Sequence, residues 1–276
     1  MIFDASSARD VTPMTFTIPR GPQRIVCLTE EPTEWLYLLG EQHRIVGITA
    51  YTVRPSEAQR DKPVVSAFIG GSIARIKALR PDLIIGFSDV QAEYARSLIA
   101  EGLPVLIFNQ RSVQEILEVL GTLGNLVGAE ARATQLLEGY VRRLEAVANG
   151  AAKRAHRPRV YFEEWDEPMI SGIRWVHELI EIAGGENVFA EEAQSAASKG
   201  RIVTVERVRE RAPEVILASW CGKAFDRDSL VARLGMEVPA IRDGRVYEVP
   251  SEIILQPGPA CLTDGLDALV RLIHSP

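Results

Sequence analysis

Cysteine is scarce in this 276-residue chain. Cys27, Cys221 and Cys261 are odd in number and none forms a CxxC pair, which argues against a disulfide framework and suits a reducing compartment. His43, His156, His177 and His274 are scattered, and nothing has the ligand spacing of a dedicated zinc site. The carboxylates fall on separate loops without an EF-hand register, so no intrinsic metal or cofactor is expected. Basic charge is in deficit: the net charge of −6 argues against a nucleic-acid partner, because phosphate binding wants a basic face. No apolar run approaches the length needed to cross a bilayer, so direct membrane insertion is not expected. Residues 1–20 lack a charged-then-apolar leader with a small-residue cleavage site. With Met1 at the start, this gives the expectation of a cytoplasmic protein if the chain is complete. A removed leader would instead place it in the periplasm or at the cell surface.

What is present reads as an ordinary soluble globular protein, 46% hydrophobic and 25% charged, long enough for two domains. The organising stretch is Ala129 to His156. Ala133, Leu136/Leu137, Tyr140/Val141, Leu144, Val147/Ala148 and Ala151 recur every three or four residues and define one apolar face. Glu130, Arg132, Glu138, Arg142, Arg143 and Lys153 occupy the other. The spacing predicts a long amphipathic helix ending in a basic run that suits its negative dipole end, and Pro158 forbids continuation.

On both sides short apolar strands alternate with helices. RIVCL, RIVGIT, KPVVSAF, DLIIGF and PVLIF precede the long helix, and RVYFEEW, EVILASW and RVYEV follow it. Ser112 caps a helix that feeds into the long one, and Gly184-Gly185 ends another. This pattern predicts an α/β protein with parallel-type sheets flanked by helices. The halves also repeat. Arg75 to Gly86 matches Arg207 to Ala218, and Arg24-Ile-Val matches Arg159-Val-Tyr at nearly the same offset. The division expected is an extended arm or hairpin over 1–21, a first α/β lobe over 22–127, a connecting helix over 128–157 and a second lobe over 158–276.

From Arg24 onward the chain resembles a known family. RIVCLTEEPTEWLYLLG, KPVVSAF, RIKALRPDLIIGFSD, AGGENVF (Ala183–Phe189) and ILQPGPACLTDGL look like the periplasmic-binding-protein class that serves ABC importers of vitamin B12 and ferric siderophores. The resemblance is closest to the cobalamin binders. It implies two Rossmann-like lobes joined by one long helix that restricts closure to small motions. It also implies an aromatic residue from each lobe against the corrin and a Glu from each lobe docking into the permease. Here the first aromatic position falls on Phe68 and the second on Gly200. The second docking position falls on Glu206 and the first on Ala74, which weakens the expectation of a permease partner.

In open α/β sheets ligands sit beyond the carboxyl ends of the strands. Residues following the strands are Glu30, Glu31, Tyr51, Arg54, Phe68, Phe87, Ser88, Asp89, Asn109 and Arg111 in the first half. Glu164, Trp165, Trp220, Cys221 and Glu252 follow in the second. Aromatics and hydrogen-bonding groups on two facing rims suit a large planar ligand with amide arms. Other readings stand beside this one. Trp35 and Trp175 lie on helices and read as core, whereas Trp165, Trp220 and Phe68 at strand ends read as cleft. Glu30 and Glu31 also suit a helix N-terminus. Arg54 and Arg111 equally suit solvent or a pairing with Asp89 or Glu30. His177 reads as a satisfied, partly buried histidine. Cys221 has Lys223 nearby but no His placed as its base.

The function expected is a non-enzymatic binder of a corrinoid or related iron chelate, held between the lobes as in ABC import. The alternatives are a cytoplasmic protein of the same fold that sequesters or senses its ligand without a permease, and an enzyme using Glu30, Glu164 or Cys221.

Overall fold

The computed structural model describes residues 21–275. The arm expected over residues 1–21 lies outside the described residues except for Gly21. Two separate sheets form, not one. The first holds β1 (Ile25–Cys27), β2 (Ile45–Thr49), β3 (Val64–Ala67), β4 (Gly70–Gly71), β5 (Leu83–Phe87) and β6 (Val105–Phe108) in the order β4-β3-β2-β1-β5-β6. The second holds β7 (Arg159–Asp166), β8 (Met169–Ser171), β9 (Glu186–Asn187), β10 (Val215–Ala218) and β11 (Val246–Glu248) in the order β11-β10-β7-β8, with β9 also paired to β7.

The main ladders are parallel, as the unbroken apolar runs predict: β1 and β10 are buried on both faces. The short antiparallel additions β4 and β8 carry no such run and were not anticipated. In the first sheet the strand order reverses between β1 and β5, so the loops after those strands diverge and leave a crevice.

The bridging helix runs Glu130–Ala151, shorter than the sequence pattern. Ala152 caps it, so the basic run from Lys153 lies beyond the last turn. Its apolar face is real: Ala133, Tyr140 and Leu144 are buried. Gly184 explains how its end is held. That residue sits at φ +89 after the Arg174–Ile182 helix, and a Cβ there would stand 2.9 Å from the Ala151 Cβ. Only glycine meets both demands.

The lobes are not hung on the bridging helix alone. One apolar core runs from Ile25, Trp35 and Ile85 of the first lobe through Leu120 and Leu144 to Phe162, Trp175 and Leu217 of the second. At its centre Trp175 meets Phe87 edge-on, with centroids 6.2 Å apart and planes at 72°. The Trp175 indole N–H donates to the Ile254 carbonyl at 2.9 Å. Polar ties cross the same seam: the Val113 N–H donates to Glu178 at 2.7 Å, and Gln110 donates to the Pro257 carbonyl at 3.2 Å. Trp35 and Trp175 are thus core residues, as their helical placement suggested. Replacing Trp175 by Ala removes a side chain only 2% exposed and leaves the Ile254 carbonyl unpaired. The expected loss is about 3–5 kcal/mol of unfolding free energy, measurable by urea titration, with Trp175→Phe costing less.

Candidate functional site

The loops leaving the carboxyl ends of strands in both sheets meet around one cavity of about 510 Å³. The first lobe lines it with Thr29 and Glu30 after β1, Tyr51 and Val53 after β2, Phe68 after β3, and Phe87 at the end of β5. The second lobe supplies Cys221 and Gly222 after β10, and Ser251, Glu252, Leu255 and Gln256 after β11. The volume is within the range of sites that hold cofactor-sized molecules, roughly 300–1,000 Å³.

The aromatic wall belongs to the first lobe, and a buried residue that the sequence did not single out positions it. Gln91 is 0% exposed. Its Oε1 accepts from the Phe87 N–H at 3.0 Å and its Nε2 donates to the Phe68 carbonyl at 2.5 Å. One amide side chain therefore fixes the main chain beneath both rings. Gly86 makes the room, because a Cβ there would fall 2.3 Å from Gln91 Oε1. Ile69, Leu255 and Gln256 also line the cavity and were missed. No polar strand-end pattern marks them.

The opposite character comes from the first turns of the Glu30–Leu39 helix. Glu30, Glu31 and Glu34 are all buried at that N-terminus, where the positive helix end offsets part of the cost. Burial, then the charges of Glu31, Glu252 and Glu34, push the Glu30 carboxyl up to about 8, and only the Val53 N–H pulls the other way. Burial first, with Thr29 opposing, takes Glu31 to about 7. Glu31 accepts from Thr29 Oγ1 at 2.8 Å and does not line the cavity, contrary to expectation. Glu34 is compensated: Arg54 Nε reaches it at 3.0 Å while Arg54 Nη2 reaches Asp264 of the second lobe at 2.9 Å. Arg54 is thus an interlobe tie, not a wall residue and not a partner of Glu30.

Several other expected residues also lie off the cavity. Arg111 pairs with Asp89 at 2.8 Å, donates to Ser88 Oγ at 3.0 Å and stacks over the Phe87 ring at 4.9 Å. These three residues brace the outer side of the aromatic wall. Ser88 itself sits at φ +81, a strained position for a non-glycine residue, and caps the turn by accepting from the Val90 N–H. Asn109 is exposed beyond β6. Glu164 is taken up by Arg201 at 2.7 and 2.9 Å and by the Ile173 N–H at 3.0 Å. Trp165 donates to the Glu167 carbonyl at 2.9 Å and lies beneath Lys223. Trp220 is 4% exposed; its indole N–H finds Glu163 at 3.2 Å, so the ring turns inward against Phe225 at 5.1 Å. The second lobe thus contributes no aromatic ring to the cavity. Nor is His177 satisfied: its Nδ1 has no hydrogen-bond partner among the described residues.

The Cys221 thiol lines the cavity, but burial and the charges of Glu164 and Glu30 push its pKa up, the reverse of what a nucleophile needs. Among the described residues no group of three or more His, Cys, Asp or Glu is placed to hold a metal ion.

The raised Glu30 carboxyl makes stability depend on pH. The native state keeps the proton that the unfolded chain releases above about 4.5, so stability falls as pH rises from there towards 8. Glu30→Gln is expected to flatten this slope and raise the melting temperature at pH 8 by a few degrees, read by thermal denaturation across pH 5–9. An unchanged slope would refute the assignment.

The model of the periplasmic binding protein family matches residues 25–253. The vitamin B12-binding protein of Vibrio parahaemolyticus is 26% identical over 243 residues, 87% of this chain and 86% of its own length. A periplasmic haem-binding protein from Pseudomonas aeruginosa has a similar fold at a TM-score of 0.78 and 23% identity, covering 92% of this chain and 93% of that one. The periplasmic vitamin B12-binding protein of Vibrio cholerae superposes at a TM-score of 0.72 and 20% identity, covering 92% of this chain and 98% of that one. With the bilobal α/β fold and a family match spanning most of its length, the chain belongs to the periplasmic binding protein family.

Proposed function

We propose that this protein is a non-enzymatic solute-binding component of ABC import that holds a large planar metal chelate of the corrinoid type between its lobes. The observation that carries the reading is a cavity where strand-end loops of both lobes meet, walled by Tyr51, Phe68 and Phe87 on one side and by hydrogen-bonding groups on the other. Flat aromatic surface supplies contact area at low entropic cost, and the polar rim meets amide arms. Relatives named for vitamin B12 support a corrinoid, whereas the haem-binding neighbour shares only the fold. The residues proposed to touch the ligand are Glu30, Tyr51, Phe68, Phe87, Cys221 and Glu252.

A second reading, ligand sequestration or sensing without a permease, is favoured by one feature. Ser72 and Thr204 cap corresponding helices, Ile73–Ala78 and Val205–Arg211, each accepting from the backbone three residues on. The second helical residue after each cap is Ala74 in one lobe and Glu206 in the other, and both are exposed. A permease that grips a carboxylate on each lobe would find only Glu206.

Calorimetric titration of the purified protein with dicyanocobinamide tests the ligand. Saturable one-to-one binding is expected, weakened at least tenfold by Phe68→Ala, about 1.4 kcal/mol. Absence of saturable heat with dicyanocobinamide, haemin and a ferric hydroxamate alike would overturn the proposal.

A further inference from the structure

Four cations near the cleft are engaged. Arg54 is held by Glu34 and Asp264, Arg111 by Asp89, Arg201 by Glu164 and Lys223 by Asp166. Among the described residues no Lys, Arg or His lines the cavity. Two carboxyl groups do, one from each lobe. Glu30 is only 7% exposed, yet its side chain makes no ion pair, and what surface it has left faces the cavity. Glu252, on the opposite wall, has neither ion pair nor hydrogen bond among the described residues. Glu30 has the Val53 N–H as a hydrogen-bond partner and Glu252 is partly exposed, so the carboxyl oxygens still turned to the cavity can accept N–H donors from a guest.

We infer that the cleft selects its guest by charge, taking a neutral or cationic chelate that presents N–H donors to Glu30 and Glu252 and excluding chelates that present carboxylates or catecholates there. The inference rests on reading this cleft as the ligand site. A ring edged with carboxamides supplies such donors. A ring edged with carboxylates would set like charges together, with no Lys, Arg or His among the described lining residues to neutralise them.

The protonation of Glu30 gives the selection a pH signature. The groups acting on it are Glu31 and Glu34 from its own helix and Glu252 from the facing wall; it acts in turn on the Cys221 thiol. Arg54 is already committed to Glu34 and Asp264. Below about 8 Glu30 keeps its proton and can donate to a guest oxygen; above it, the group is a charge that only accepts. Discrimination between amide and carboxylate guests therefore widens with rising pH, and an amide guest binds with proton release.

Two corrinoids built on the same ring test the effect: dicyanocobinamide, with amide arms, and dicyanocobyrinic acid, with carboxylates in their place. Calorimetry on the full chain at pH 6 and pH 9 is expected to show the amide ring binding at least tenfold tighter at pH 9, with a smaller ratio at pH 6. Glu30→Gln should remove the pH dependence of that ratio. Glu252→Gln, on a partly exposed residue, should shrink the ratio without disturbing the near-ultraviolet circular dichroism. Equal or tighter binding of the carboxylate ring, or a ratio indifferent to pH and to both substitutions, would overturn charge selection while leaving the corrinoid reading in place. If neither ring binds, nor haemin nor a ferric hydroxamate, the ligand reading itself fails and the inference falls with it.

Discussion

The structure depends on the edge-on contact between Trp175 and Phe87. It is one of the contacts that join the core of one lobe to the core of the other. Phe87 ends the β5 strand and also faces the cavity, so one ring serves the interlobe seam and the ligand wall together. The apolar seam sets how far apart the loop tips stand. The polar ties along it, Arg54 to Asp264 and Gln110 to the Pro257 carbonyl, set the register between them. A cavity between two bodies keeps its shape only when the bodies themselves cannot drift, and here the apolar seam and the polar ties oppose that drift.

The acidic helix start shows how the same geometry produces chemical character. Three carboxyl groups packed into the first turns of one helix would be unfavourable anywhere else. The helix dipole, the Arg54 guanidinium and protonation share the cost differently among them. Glu34 is neutralised by a cation, Glu31 by a neighbouring hydroxyl and a raised pKa, and Glu30 by holding its proton at neutral pH. The consequence is a cavity wall whose charge is set by solution conditions and by what enters it.

Much of the architecture was legible in the chain. Doubly buried parallel strands leave continuous apolar runs, the bridging helix leaves a three-and-four period, and duplication leaves aligned segments. The positions of Glu30, Tyr51, Phe68, Phe87, Cys221 and Glu252 on the cavity followed from the strand-end rule. The rule fails in a characteristic place. In a strand buried on both faces, such as β10, alternation no longer tells which way the next residue points. Trp220 turned inward because Glu163 offered its indole N–H a partner, a contact from 57 residues away that no local pattern announces. Glu164 was lost to Arg201 for the same reason, and Gln91 was invisible because a glutamine in a short turn carries no signal until its bonding partners are known.

Gln91 has one more consequence. It grips Phe68 and Phe87 through a main-chain carbonyl and a main-chain N–H, never through the rings. The anchorage is therefore indifferent to which side chains those positions carry. A lineage can exchange them for larger, smaller or more polar groups, recutting the wall for a different guest while the scaffold underneath stays as it is.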